Sequence, residues 1–395
     1  MTFLHREPFQ SSPLVGSFFL GGFECSSHRR PDGCRLDLLA ATAHDRFAAD
    51  DYALLEMHGI RAARDGLRWH LIETSPGRYD WSSALPVLRA AEDRGVRIIW
   101  DLCHYGWPDG IDIWAPEFID RFARFAAEAA RVITSESSGV PFFCPVNEIS
   151  FWAWAGGEVG RFNPSSYGRG PDLKRQLVHA AIAGIEAVRT VRPDARFITA
   201  EPLINVDPGA GDPEHTHAAE IYRLSQFEAL DMLCGTVEPD LGGHPSYLDI
   251  VGVNYYPDNQ WYHHGPTIPL GHHAYRPFHQ MLTEVSTRYR RPILIAETGA
   301  EGSARPAWLH YVCAEVAEAI DGGVPIEGIC LYPVLDYPGW DNGRSCQVGL
   351  FSAPDESGQR TVCRPLAGEL RRQQAIFDSR QDVSGPKMAV LRAVG

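Results

Sequence analysis

Phe142-Phe-Cys-Pro-Val-Asn-Glu-Ile-Ser150 is a short apolar run that ends abruptly in an amide and a carboxylic acid, Asn147 and Glu148, before the aromatic segment Phe151-Trp-Ala-Trp154. Such groups at the end of a buried strand are costly unless something satisfies or uses them. A second stretch answers it downstream. Pro292-Ile-Leu-Ile-Ala-Glu-Thr-Gly299 is another strand-like run, with Glu297 at its C-terminal end.

Outward from these two stretches, strand-like and helix-like segments alternate along the chain. The remaining apolar runs are Ser17–Glu24, Ile60–Gly66, Arg97–Cys103, Ala195–Glu201, Asp249–Tyr256 and Gly328–Leu335. Helical patterns follow them over about 45–58, 83–94, 116–134, 172–191, 214–233, 277–289, 305–321 and 366–379. Pro116 at a first turn and Gly95 just past an end are ordinary helix boundaries. Eight β-then-α units with near-continuous apolar strands predict an α/β chain closed into a parallel (β/α)8 TIM barrel. An open doubly wound sheet would favour a glycine-rich phosphate turn after an early strand, and Gly21-Gly22 is too little for one. With no linker or internal repeat, residues 1–380 read as one barrel domain and 381–395 as a C-terminal tail.

The composition bounds the function. The chain has 395 residues, 44% hydrophobic and 22% charged, and its net charge of −14 comes without a basic block, which argues against a nucleic-acid partner. Met1 to Glu7 lacks the apolar core of a signal peptide, and no run reaches membrane-span length, so no membrane partner is expected. Nine cysteines form no CxxC pair, and Cys103, Cys144 and Cys330 lie in strand-like runs, which points to a reducing, cytoplasmic compartment. The histidines His215/His217, His263-His264 and His272-His273 sit in polar loops without a carboxylate frame and read as surface residues. No metal or organic cofactor is expected.

In such a barrel the active site lies at the C-terminal ends of the strands. Those ends carry Glu24, Arg64, His104, Asn147-Glu148, Glu201, Asn254 with Tyr256, Glu297, and Tyr332 with Asp336. Any chain turns polar where a strand stops, which accounts for one or two of these. It does not account for an Asn-Glu pair, an Asn-Tyr-Tyr and a lone Glu at matching depth. Strands four and seven lie on opposing sides of an eight-stranded barrel, so Glu148 and Glu297 can face each other across its axis. Two such carboxyls are what cleavage of a glycosidic bond requires, and a separation of ~5–5.5 Å makes the enzyme retaining. One must begin protonated and the other ionised. Arg64 and Tyr256 are suited to hold Glu297 as an anion, and Glu148 beside Phe151-Trp152 is the candidate acid. Sugar rings stack on aromatics, so Trp107, Trp152, Trp154, Trp261 and Trp340 are candidate platforms, with Trp340 foremost and Trp114 structural.

These residues resemble a known family. The eight strands and two glutamates look like the clan A glycoside hydrolases, and most closely the family 1 β-glycosidases. Arg64-Asp-Gly-Leu-Arg-Trp69 is similar to the family's Arg-Phe-Ser-x-x-Trp, and His104-Tyr-Gly-Trp-Pro108 to its sugar-contacting His-Trp-Asp-Leu-Pro. Asn147-Glu148 matches the Asn-Glu-Pro acid/base motif with Ile149 in place of proline, and Val253-Asn-Tyr-Tyr256 resembles the Asn-Tyr-Tyr whose second tyrosine bonds the nucleophile. Ile295-Ala-Glu-Thr-Gly299 resembles the Thr-Glu-Asn-Gly nucleophile motif. The resemblance implies that Glu148 is the acid/base, Glu297 the nucleophile and His104 a sugar contact; Asn147, Asn254, Glu24 and Tyr332 at the strand ends, with Trp107 and Trp340 in the loops, are the other candidate substrate contacts. It also implies two departures. Arg29 stands where the family has a glycone-binding Gln, and Gly339 where it has a glycone-binding Glu. A pocket that loses a carboxylate and gains an arginine favours an anionic or otherwise altered sugar.

The reading is therefore a retaining exo-β-glycosidase acting on a carbohydrate or glycoside, with glycone specificity altered from glucose. A transglycosylase using the same glutamates with a sugar or lipid acceptor is an alternative. A catalytically silent carbohydrate-binding barrel is another.

Overall fold

A computed structural model describes residues 15–209 and 213–383. Its centre is a ring of eight parallel strands: β1 (Phe19–Gly22), β2 (Ala62–Gly66), β3 (Arg97–Asp101), β4 (Phe142–Cys144), β5 (Arg196–Pro202), β6 (Ile250–Asn254), β7 (Ile293–Thr298) and β8 (Ile326–Leu331). Each strand pairs with its sequence neighbours, and β1 pairs with β8 through Phe19 to Ile329, Leu20 to Cys330 and Gly21 to Leu331. This is the closed (β/α)8 barrel expected.

Side chains alternate along a strand, and here one phase fills the barrel while the other meets the helices. Leu20, Ala62, Ile99, Phe142, Ile198 and Ile250 pack with Leu294 and Cys330 in the interior. Phe19, Ala63, Trp100, Phe143, Val251 and Ile295 belong to the outer core beneath the helices. The helix Pro116–Glu136 shows the match: Phe118, Phe122, Phe125, Ala129 and Ile133 recur at helical spacing and are all buried.

The same alternation aims Arg64, Asp101 and Asn254 inward, two residues beyond the interior side chains Ala62 and Ile99 and four beyond Ile250. Glu297 is different. Leu294 and Ala296 are interior residues, so strict alternation would turn Glu297 toward the helices. The register of β7 slips between Ile295 and Glu297 against β6, and between Ile295 and Thr298 against β8. Such an irregularity re-aims a side chain. Glu297 enters the barrel, and Thr298 takes the outward place, where its Oγ1 accepts from Trp308 Nε1 at 2.9 Å.

Two elements differ from the sequence reading. β4 stops at Cys144 because Pro145 has no N–H for the ladder. The helix expected over 214–233 is broken into Pro213–Leu224, a 3-10 turn at Ser225–Phe227, and Glu228–Cys234. The break buries Gln226, whose Oε1 accepts the Ile204 N–H at 2.8 Å.

The last helix, Arg364–Val383, runs past the boundary drawn at residue 380, and the rest of the expected tail lies outside the described residues. Just before it, Arg360 forms a buried ion pair with Asp51. Asp51 in turn binds His44 Nδ1 at 2.8 Å, and His44 Nε2 meets Asp65 of β2 at 2.8 Å. All nine cysteines are free, and among the described residues no helix is long and apolar enough to cross a membrane.

Candidate active site

Glu297 sits at the C-terminal end of β7, almost fully buried. Its Oε1 accepts from Arg64 Nη1 at 2.7 Å, and its Oε2 accepts from the Tyr256 hydroxyl at 2.8 Å. Arg64 is fully buried and donates twice more to Asp101, Nε to Oδ1 and Nη2 to Oδ2, both at 2.8 Å. One guanidinium therefore holds two carboxylates, a bidentate use of its rigid fork. Burial, together with the neighbouring Glu297 charge, pushes the Tyr256 phenol well above its ordinary range, so it stays a donor.

Glu148 follows β4 with φ of +46°, a left-handed conformation uncommon for a residue with a side chain. Its Oε2 accepts from the Tyr105 hydroxyl at 2.6 Å and its Oε1 from Asn254 Nδ2 at 2.9 Å. Tyr105 has a φ of +65°, so both ends of the first of these hydrogen bonds sit on strained backbone. Burial, then the negative charge of Glu297, pushes the Glu148 carboxyl up to about 8. The two glutamates thus differ in their partners. Glu297 faces a cation and a phenol, whereas Glu148 has only neutral donors.

Asn147 ties the halves together. Arg64 can only donate, so Asn147 Oδ1 is the atom that meets Nη2, at 2.5 Å. That leaves Asn147 Nδ2 to donate to the Tyr105 hydroxyl at 3.0 Å and to His104 Nε2 at 2.9 Å. His104 then carries its proton on Nδ1, 2.9 Å from Asp101 Oδ2.

Glu148 and Glu297 line one cavity of about 500 Å³, together with Glu24, His104, Tyr256, Tyr332 and Trp340. Its size suits a small organic ligand. Glu24 Oε1 accepts the Ser26 N–H at 3.0 Å, and burial pushes this carboxyl up to about 7. The Tyr332 hydroxyl and Trp340 Nε1 are buried and have no hydrogen-bond partner among the described residues. The Tyr332 ring lies 5.4 Å from the Arg64 guanidinium carbon and leans over Gly22. A Cβ at Gly22 would come within 2.0 Å of that ring, so glycine is required there by the close approach.

No family model and no curated protein sequence matches this chain. Solved structures do. A β-glucosidase from Thermotoga maritima in complex with glucoimidazole aligns with a TM-score of 0.77 at 16% identity, over 92% of this chain and 99% of that one. The AHE enzyme from Alicyclobacillus herbarius aligns at 0.76 with 18% identity, over 94% and 100%. Another Thermotoga maritima structure, a family 1 β-glucosidase, aligns at 0.69 with 17% identity, over 85% and 87%. The fold is that of the family 1 β-glucosidases.

Within that fold the expected site residues separate into three groups. Glu24, His104, Glu148, Tyr256, Glu297, Tyr332 and Trp340 converge on the cavity. Arg64, Asn147 and Asn254 are fully buried behind it and hold the side chains that line it. Arg29 and Trp107 go elsewhere. Arg29 donates through Nε and Nη2 to Asp109 at 3.1 and 2.5 Å, and through Nη1 to the Gly33 carbonyl. Trp107 packs on Trp152 at 5.8 Å and gives its Nε1 proton to the Ile111 carbonyl. Both line a separate surface depression, so the arginine expected beside the sugar is neutralised outside the cavity. Glu201 also stays out: its carboxylate accepts the Ser150 N–H at 3.0 Å under the helix Ile149–Trp152.

Three residues went unread in the sequence: Tyr105, Asp101 and Arg161. Tyr105 follows His104 directly, and Asp101 is in phase with the interior Ile99, so alternation could have found the second. Arg161 reaches the cavity rim from a distant loop, ion-paired to Asp341 at 2.7 Å. Cys25, Asp101 and His104 are the group among the described residues that brings three possible metal ligands together. They fit a cation poorly, because both Asp101 oxygens already accept from Arg64.

Proposed function

We propose that the chain is a retaining exo-β-glycosidase, with Glu297 as nucleophile and Glu148 as acid/base, acting in a reducing, cytoplasmic setting. The observation that carries this reading is the unequal treatment of two carboxyls on one cavity. Arg64 and Tyr256 each donate to an oxygen of Glu297, while burial and the charge of Glu297 favour the protonated form of Glu148. In the first step the Glu297 carboxylate attacks the anomeric carbon, and Glu148 gives its proton to the departing oxygen. In the second, Glu148 takes a proton from water, which displaces Glu297 and leaves the sugar with its original configuration. Glu297 loses its negative charge as its ester forms and regains it as the ester breaks, and Arg64 and Tyr256 are the donors that receive the returning carboxylate. The likeness of the fold to β-glucosidases supports the same class of substrate.

The glycone differs from the one the resemblance suggested. With Arg29 committed to Asp109 and Glu24 on the cavity wall, the pocket is acidic, which disfavours an anionic sugar. Neutral or amino sugars fit it, with Glu24 accepting their hydroxyl or ammonium protons. Hydrolysis of matched aryl glucosides, galactosides, glucosaminides and glucuronides tests this, and a preference for glucuronides would overturn it.

The roles are tested by substitution. Glu297→Gly is expected to lose at least about a thousandfold in kcat, with azide restoring turnover. Glu148→Ala is expected to slow substrates with poor leaving groups far more than activated ones. Ordinary activity in Glu297→Gly would overturn the assignment, and NMR of the first-formed anomer distinguishes retention from inversion.

A further inference from the structure

The loop after β8 folds into a small hairpin, in which Tyr337–Pro338 pairs antiparallel with Ser345–Cys346. Two residues a side is little to hold a two-stranded ribbon. Its turn is closed by the Gly339 N–H donating to the Arg344 carbonyl at 2.7 Å and the Gly343 N–H to the Gly339 carbonyl at 3.0 Å. The tip carries Trp340, which lines the site cavity and whose buried Nε1 has no partner among the described residues.

The tip does not stay on its own side of the barrel. β8 and β4 stand four places apart in the ring of eight, diametrically opposed. Yet Trp340 packs on Phe151 at 6.3 Å and on Phe162 at 5.8 Å, both in the segment after β4. It also meets the ring of Tyr105, the residue that donates to Glu148, at 5.6 Å. The next residue, Asp341, accepts from Arg161 Nη2 at 2.7 Å, again in the segment after β4. On the near side Arg344 Nη2 donates to Glu301 Oε2 at 2.8 Å, just after β7. The hairpin is therefore a strap laid across the barrel mouth and tied at both sides.

Asp341 is 63% exposed and Arg161 43%. An ion pair so open to water moves an equilibrium by no more than about fivefold, and salt screens it. That is too weak to hold up a fold, but enough to bias where so short a ribbon puts its tip. We propose that Arg161 and Asp341 are positioning residues, whose ion pair ties the strap across the mouth and so sets Trp340 against the substrate. The tie follows from the geometry alone, whereas the sugar that Trp340 then meets rests on the glycosidase reading.

The experiment has two arms in the full chain. The first needs no turnover: hydrogen exchange of the segment 337–346 is followed by mass spectrometry. Exchange is expected to be about threefold faster in Asp341→Asn and in Arg161→Gln, and faster in the unaltered protein when sodium chloride is raised from about 0.05 to about 1 M. The second arm measures KM and kcat on the aryl glucoside, galactoside and glucosaminide named above. Each single variant is expected to raise KM about threefold with a smaller change in kcat, and the double variant to do no worse than either single one. Exchange that is indifferent to both substitutions overturns the tie. A KM raised by Arg161→Gln but not by Asp341→Asn, or single effects that multiply in the double variant, means that Arg161 acts on substrate by itself and overturns the proposal. Failure to cleave any of the three glycosides overturns the glycosidase reading instead, and the exchange arm then decides the tie by itself.

Discussion

Tyr105 and Asn254 matter because they meet Glu148 with neutral donors only. In the proposed mechanism Glu148 acts as the acid and must be protonated, so activity is expected to fall as pH rises through about 8, the position to which burial and Glu297 raise it. The Tyr105 hydroxyl stabilises the ionised form and so opposes that rise. Tyr105→Phe is therefore expected to move the alkaline limb of the kcat/KM profile upward, and a downward move would contradict the assignment. Much at this scale was readable in advance. Glu148, Glu297, Arg64 and Tyr256 stand at strand ends, where the run of apolar residues itself marks the position. Arg29 and Trp107 were not readable, because where a loop side chain points depends on what it meets in space. Asp109 lies eighty residues from Arg29 in the chain.

At the level of elements, apolar runs and helical periodicity located all eight strands and their helices. The helix Arg305–Asp321 has the bounds expected of it. What periodicity could not reveal is the slip in β7, since a strand's phase is defined only against its neighbours. Without it Glu297 would point at the helices, and no motif match would show the difference. The end of β1 makes a second demand. Gly22→Ala places a methyl against the Tyr332 ring, and overpacking of this kind costs about 1–3 kcal/mol. A lowered Tm together with reduced kcat/KM is expected, since Tyr332 also lines the cavity. A Tm loss without any kinetic change would show that the ring does not serve the site.

Over the whole molecule, stability should track pH through groups that hold protons more tightly when folded. Burial alone would lower His44, but Asp65 and Asp51 outweigh it and raise its pKa from 6.5 to about 9. The folded pKa exceeds the unfolded one, so this contribution is complete below about 6.5 and lost as pH rises through 9, on the order of 3 kcal/mol. Glu201, raised by burial to about 7, acts in the same direction from 4.5 upward. Thermal unfolding is expected to show Tm falling from pH 6 to pH 9, with a shallower fall in His44→Gln. A Tm that climbs over this range would refute the linkage.

The seam between β1 and β8 has a consequence for how the chain is made. Leu20 leaves the ribosome some three hundred residues before its partner Cys330, so until then the growing sheet has two open edges. Arg64 and Asp101 are synthesised early, whereas Glu297 arrives only with β7. The nascent molecule therefore holds Arg64 and Asp101 for some two hundred residues before the carboxylate that shares the guanidinium is made.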